Sequence, residues 1–214
     1  MRRLTRPLLS LVAAAAVAAG CAHVVAGTPA LPASVSPGQD HGVNVDDVLL
    51  TTPELRGVTG AGSDMTAVPG MDSTATVDDE NLVSLAPPEC GFIFRESVIF
   101  GRDFEHFHKT SFQTPSRSAL LSEGAAVYPD ANAARRAFDN VATMVMSCGN
   151  TTFASMFVGR WSADDTALRT RTAGDCGRVY RIESAVLIEV TYCGYAAAVP
   201  EEVANRMAAK VPPS

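Results

Sequence analysis

Four cysteines, Cys90, Cys148, Cys176 and Cys193, follow an N-terminus built for export, and that combination constrains the fold more than any other feature of the chain. Met1 to Pro7 carries Arg2, Arg3 and Arg6. Leu8 to Ala19 is an unbroken run of Leu, Val and Ala with one Ser, and Ala18-Ala19-Gly20 closes it with small residues. A basic start, a short apolar core and a small-residue cut site are the three parts of a secretory signal. The apolar run is short for a membrane-spanning helix. Residues 1–20 are therefore read as a signal peptide. An exported chain meets an oxidising compartment, where an even set of cysteines reads as a disulfide framework.

Cys21 makes the leader more specific. With Gly20 before it, the stretch resembles a bacterial lipobox, whose cysteine takes a diacylglyceryl group, carries acyl chains such as palmitate and becomes the new N-terminus. One position departs: Ala18 stands three before the cysteine, where Leu or Val is usual. The competing reading is an ordinary signal peptide with an incidental cysteine. Two or three acyl chains anchor stably where one does not. The expected location is the cell membrane, lipid-anchored on the extracytoplasmic face. Residues 21–41 then comprise the lipidated cysteine and a tether. Ala22 to His41 is rich in Ala, Pro, Ser, Val and Gly without a period, with a random-coil reach on the order of 25 Å. Residues 42–214 form the domain. Loss of the leader removes three arginines and no acid, leaving 14 basic against 23 acidic residues. That surface disfavours nucleic acid, which demands positive charge. A 47% hydrophobic fraction is enough for a packed core.

The cysteine spacing indicates a pairing. Arg178–Glu183 and Val186–Tyr192 both read as strands, with only Ser184-Ala185 between them. If that pair is the turn, Glu183 faces Val186, Val179 faces Val190 and Cys176 faces Cys193, at the spacing a disulfide needs. By elimination Cys90 pairs with Cys148. Ser-Ala is not a preferred two-residue turn, and a longer loop with the same centre keeps the register. Chain-entropy estimates assign about 3 kcal/mol to the short loop and about 4 to the long one. The alternative, a four-cysteine zinc site, usually needs close C-x₂₋₄-C pairs, and none is present.

Along the domain, Val45 to Leu55 is expected to form a short helix. Arg56 to Asp79 reads as loop with extended pieces, and the packed part is expected from Leu82 onward. Strands are expected at Phe92–Phe100, Phe104–Phe112, Ala119–Tyr128, Phe153–Trp161 and Thr166–Thr172. Asp130 caps a helix whose Ala134, Phe138, Val141, Ala142, Val145 and Cys148 share a face. Pro200 opens a last helix that aligns Val203, Met207 and Val211. The hairpin face with Val186, Ile188, Val190 and Tyr192 is the expected core side. The pattern fits an α+β fold: a mostly antiparallel sheet with helices packed on one side.

The order of these features resembles the PknH-like extracellular sensor domain family. The resemblance is carried by the lipobox and tether, Pro88-Glu89-Cys90, Val127-Tyr128-Pro129, the Ala-rich helix ending at Cys148, Cys176-Gly177-Arg178-Val179-Tyr180, the apolar strand Val186–Tyr192, Cys193 and the final helix. It spans roughly Val43 to Pro213. It implies a sheet-and-helix domain with a cleft, and disulfides Cys90–Cys148 and Cys176–Cys193. It implies sensing of a ligand or partner, and brings no catalytic residues. Two positions depart from the family. Met144-Val145-Met146-Ser147 stands where a tryptophan often precedes the helix cysteine, and Ser184-Ala185 stands where an Asn is frequent.

Searched for chemistry, the sequence holds no G-x-S-x-G, H-E-x-x-H, Walker loop or G-x-G-x-x-G. His106 and His108 point the same way from a strand, as two metal ligands do, with Glu96, Asp103 or Glu105 as possible carboxylates. The plainer expectation is two solvated or hydrogen-bonded imidazoles and no metal or other cofactor. Arg95-Glu96 and Arg102-Asp103 read as surface pairs of little energetic value, with use in a cleft as the alternative. Glu80, Glu89 and Asp175 are carboxylates whose convergence a sequence does not reveal. Trp161 and Met156 are expected in the core. The favoured function is a non-enzymatic binding module, displaying a cleft to a small molecule, cell-wall or lipid component, or protein. A structural or interaction protein of the envelope is the alternative, and a hydrolytic or metal-dependent enzyme the third.

Overall fold

A computed structural model describes residues 42–114 and 119–213. The leader, Cys21 and the tether to residue 41 lie outside the described residues. Two short helices open the domain, α1 (Val45–Val48) and α2 (Thr52–Thr59), followed by strand β1 (Thr66–Ser73) and helix α3 (Glu80–Leu85). A 3₁₀ turn (Gly91–Phe94) and α4 (Glu96–Ile99) lead to β2 (His106–Gln113) and β3 (Leu120–Val127). Then come the long α5 (Ala131–Gly149), α6 (Ala154–Phe157), the strands β4 (Arg160–Ala163), β5 (Ala167–Arg171), β6 (Cys176–Glu183) and β7 (Val186–Cys193), and α7 (Ala198–Ala209).

The seven strands form one antiparallel sheet in the order β1-β2-β3-β7-β6-β5-β4. The hairpin count holds residue for residue: Glu183 faces Val186, Val179 faces Val190 and Cys176 faces Cys193. Both disulfides form as expected, Cys90–Cys148 and Cys176–Cys193. The first ties the C-terminal end of α5 to the 3₁₀ segment 58 residues earlier; the second clamps the open end of the hairpin.

Helices cover both faces of the sheet, not one. Strand residues alternate between the faces. Val186, Ile188, Val190 and Val179 pack with Leu55 of α2 and Val203 and Met207 of α7. Leu187, Tyr180, Ile182, Leu168 and Ala126 point the other way and pack with Ala134, Phe138, Val141 and Val145 of α5. Each large apolar side chain fully buried in this way contributes about 1.5–3 kcal/mol. Asp130 starts α5 by accepting a hydrogen bond from Ala133 N at 2.7 Å.

The region before Leu82 is also core. Val48, Leu49, Leu50, Leu55 and Met65 are all buried. The helix expected over Val45–Leu55 is two helices, because the Leu50 N–H is spent on the Glu123 carboxylate and Thr51 restarts the helix. Thr51 and Glu54 make a reciprocal capping box, with Pro53 in the first turn.

Phe92–Phe100 is helical rather than a strand. Unbroken apolar runs look alike in either state, and tertiary anchors decide between them. Here Cys90 is held by its disulfide, and the Asp78 carboxylate accepts from both the N–H and the hydroxyl of Ser97. Phe153–Trp161 likewise divides into α6 and the start of β4. Gly159, at φ 60°, lies so close to the Arg171 carbonyl that a Cβ would fall 2.0 Å from its oxygen. Only glycine fits that approach.

Candidate functional site

Antiparallel register aligns side chains in rows across the sheet. One row on the α5 face runs Phe107, Ala126, Leu187, Ile182; it is apolar and lies among the α5 contacts. The next runs Lys109, Gly124, Glu189, Tyr180, and the one after it Ser111, Ser122, Thr191, Arg178. The face changes from apolar to polar within one strand. Lys109 and Glu189 of the first and Ser111, Ser122, Thr191 and Arg178 of the second form the floor of a cleft of about 340 Å³. Gly70, Met71 and Ser73 of β1 line one side. Val77, Asp79, Ile93, Phe94, Glu96 and Ile99 line the other, with Leu120 at the strand start.

Three charges of the floor connect to a fourth, Glu96, on the wall. Lys109 pairs with Gly124 across the strands, and its stem lies over the glycine. Its Nζ reaches Glu96 Oε1 at 2.8 Å and Glu189 Oε2 at 3.6 Å. Arg178 Nε sits 3.0 Å from Glu189 Oε1, and Arg178 Nη2 donates to the Ile93 carbonyl at 2.7 Å. Thr191 donates its hydroxyl to Glu189 Oε1 at 2.8 Å. Burial opposes a charge on Glu189, but Lys109 and Arg178 outweigh it and hold the carboxyl below its ordinary range. Arg178 keeps its charge against the same burial because Tyr180 and Glu189 stand beside it. Glu96 joins floor to wall: its Oε2 accepts from Val77 N at 2.8 Å. Ser111 and Ser122 bond to each other at 2.6 Å.

Of the residues singled out in the sequence, Glu96 is in the cleft rather than in a surface pair, while its neighbour Arg95 pairs with exposed Glu80 at 2.7 Å. Asp175 pairs with Arg171. Glu80, Glu89 and Asp175 do not converge on one another.

His106 and His108 lie on the opposite face of β2 from the cleft. His108 places Nδ1 2.7 Å from Asp46 and Nε2 2.8 Å from Asp72, so it links α1 to β1 with both nitrogens occupied. Burial works against its charge, but the two carboxylates prevail and raise its pKa. Among the described residues, no group of three or more His, Cys, Asp or Glu is arranged to hold a metal ion. Trp161 and Met156 are not core: they are 41% and 69% exposed. β4 is the last strand of the sheet and all four of its residues are exposed, with Trp161 lying against Gly149 at the end of α5.

Lys109, Ser111, Ser122, Arg178, Glu189 and Thr191 went unnoticed in the sequence. Their signal was there: Glu189 and Thr191 interrupt an apolar strand at alternate positions. With helices expected on one side only, that face reads as solvent-facing.

Comparison with known proteins agrees with this architecture. The family model for the PknH-like extracellular domain matches residues 41–210. The crystal structure of the extracellular domain of PknH from Mycobacterium tuberculosis superposes with a TM-score of 0.61 at 18% identity, covering 78% of this chain and 94% of that one. At that identity the likeness concerns the fold. No curated protein matches the sequence.

Proposed function

This chain belongs to the PknH-like extracellular domain family, and on that premise we propose that it is an envelope lipoprotein, anchored through Cys21, whose domain binds a small ligand in the cleft. The observation that carries this reading is the floor of the cleft. Glu189 is buried there and Lys109, Arg178 and the adjoining Glu96 are largely withdrawn from bulk water, paired with one another and set beside three hydroxyls. Burying charges is costly, and a fold that only needed stability is served as well by apolar residues. A concave, largely apolar site with a few placed polar groups is the usual form of a ligand pocket.

The same geometry favours binding over catalysis. The two serines bond to each other rather than to a base, and each lysine, arginine and glutamate of the floor is paired. The histidines lie on the other face. Among the described residues no helix is long and apolar enough to cross a membrane. Attachment is assigned to a lipid on Cys21 from the lipobox-like sequence that ends there.

A second reading, protein interaction without a small ligand, draws support from Leu85, Val98 and Met146, which are 80%, 40% and 48% exposed. Native mass spectrometry of the chain released gently from its own envelope separates the two. A co-purifying adduct of small mass, lost on mild activation, is expected. A clean apo mass together with crosslinks to an envelope protein through the Leu85 region would replace the ligand reading with the second one.

A further inference from the structure

We infer that the cleft takes an uncharged amphiphile, with a hydroxylated head on the sheet floor and its apolar part at the mouth. This rests on the cleft-binding reading above and adds the chemical class of the ligand.

The first argument is charge balance. Lys109 and Arg178 face Glu96 and Glu189, so the network is neutral and each charge has its partner. The remaining carboxylate, Asp79, spends Oδ1 on the N–H groups of Asn81 and Leu82. An anionic head would add a negative charge beside Glu96 and Glu189, and a cationic head a positive charge beside Lys109 and Arg178. Either leaves a charge unbalanced in a site largely withdrawn from water, which is costly. An uncharged head displaces no pair.

The second argument is the inventory of donors and acceptors. Ser111 and Ser122 carry two hydroxyl protons, and the bond between them uses one. The other is left for a ligand acceptor. Lys109 has three N–H donors and one close carboxylate. Glu189 Oε2 is buried with no hydrogen-bond donor, so the floor can accept as well as donate. A group that both donates and accepts, such as a hydroxyl, matches this set; a carboxylate or an ammonium offers one half of it.

The third argument is the mouth. Met71 and Val77 line it while 46% and 59% exposed, and Phe94 and Leu120 continue the apolar surface inward. Exposed apolar side chains at the entrance to a polar floor fit a molecule that enters head first and leaves its apolar part outside.

The test holds chain length fixed and varies the head. Octyl glucoside, octanoate and octylammonium, each below its micelle concentration, are titrated by calorimetry into the exported chain carrying Cys21→Ser. Methyl NMR of Met71 and Val77 reports whether the cleft is the site. Octyl glucoside is expected to bind on the order of 10-fold tighter than either ion and to shift both methyl signals. Lys109→Met removes one cation and leaves both glutamates, so octylammonium should become the tightest of the three. Ser122→Ala disturbs no charge and should weaken octyl glucoside several-fold. Tightest binding of octanoate or octylammonium to the unsubstituted chain, with Met71 and Val77 shifting, would overturn the uncharged head and leave the cleft standing. Absence of binding and of methyl shifts with all three would overturn the cleft reading and this inference with it.

Discussion

Glu123 has no exposed surface and lies in β3 on the face beneath α1 and α2. Its Oε2 accepts from Leu50 N at 3.1 Å, and Oε1 has no partner. Burial is the main reason its carboxyl is pushed up to about 8, so at neutral pH it is largely protonated. The folded state thus holds this proton more tightly than the unfolded chain does. Its contribution to stability is complete below the ordinary carboxyl value of 4.5 and is lost as pH rises through 8. His108, raised by Asp72 and Asp46 against the opposing effect of burial, acts with the same sign: its contribution is present below the ordinary histidine value and falls away above the raised one. Glu123→Gln keeps the shape and an acceptor for Leu50 without needing the proton. It should stabilise the chain at pH 8 by on the order of 2 kcal/mol, a rise of roughly 4–8 °C in Tm for a domain of this size. Thermal unfolding followed across pH 4.5 to 8 should show a flatter slope for the variant, with the His108 part remaining. A variant less stable than the parent at pH 8 would show that the carboxyl is ionised and paired.

At the scale of elements, the β6–β7 hairpin was legible because its register follows from counting outward from the turn. The turn itself carries a cost. Ser184 adopts φ 51°, the left-handed region, which costs an L-residue roughly 1–2 kcal/mol. The Tyr128 N–H, donating to the Ala185 carbonyl at 2.8 Å, helps to fix it. Ser184→Gly relieves the strain but frees the unfolded chain, so a net gain of about 0.5–1 kcal/mol is expected, read as a higher urea midpoint with an unchanged slope. An unchanged or lower midpoint would mean that the serine conformation is satisfied by its surroundings. α5 was legible for a similar reason, since its cap and apolar face are local signals. Phe92–Phe100 and Phe153–Trp161 were not. Their shape depends on Cys90, Asp78 and the close approach of Gly159 to Arg171, all of which bring distant residues together.

For the whole molecule, family membership places the domain outside the membrane, and the proposed anchor is Cys21. Cys21→Ala should move the chain from the membrane fraction to the soluble one, without change in either disulfide on non-reducing peptide mapping. Continued partition of the variant into detergent would end the lipoprotein reading. The cleft lies on the α5 face of the sheet, where that helix stops short of the polar rows. α5 covers the apolar row of its face and the Tyr180 end of the next, and the polar side chains beyond it are bounded by β1, the Val77 loop and α4. Local patterns in the sequence, the cysteine spacing, the alternation in β7 and the cap of α5, determined the hairpin, its disulfide and the α+β class, because each depends on neighbours a few residues apart. The joining of Lys109, Glu96, Glu189 and Arg178 was decided only by the tertiary structure. They come from three strands and a short helix, and it is sheet order and the packing of α4 on the α5 face that bring them together and largely withdraw them from water.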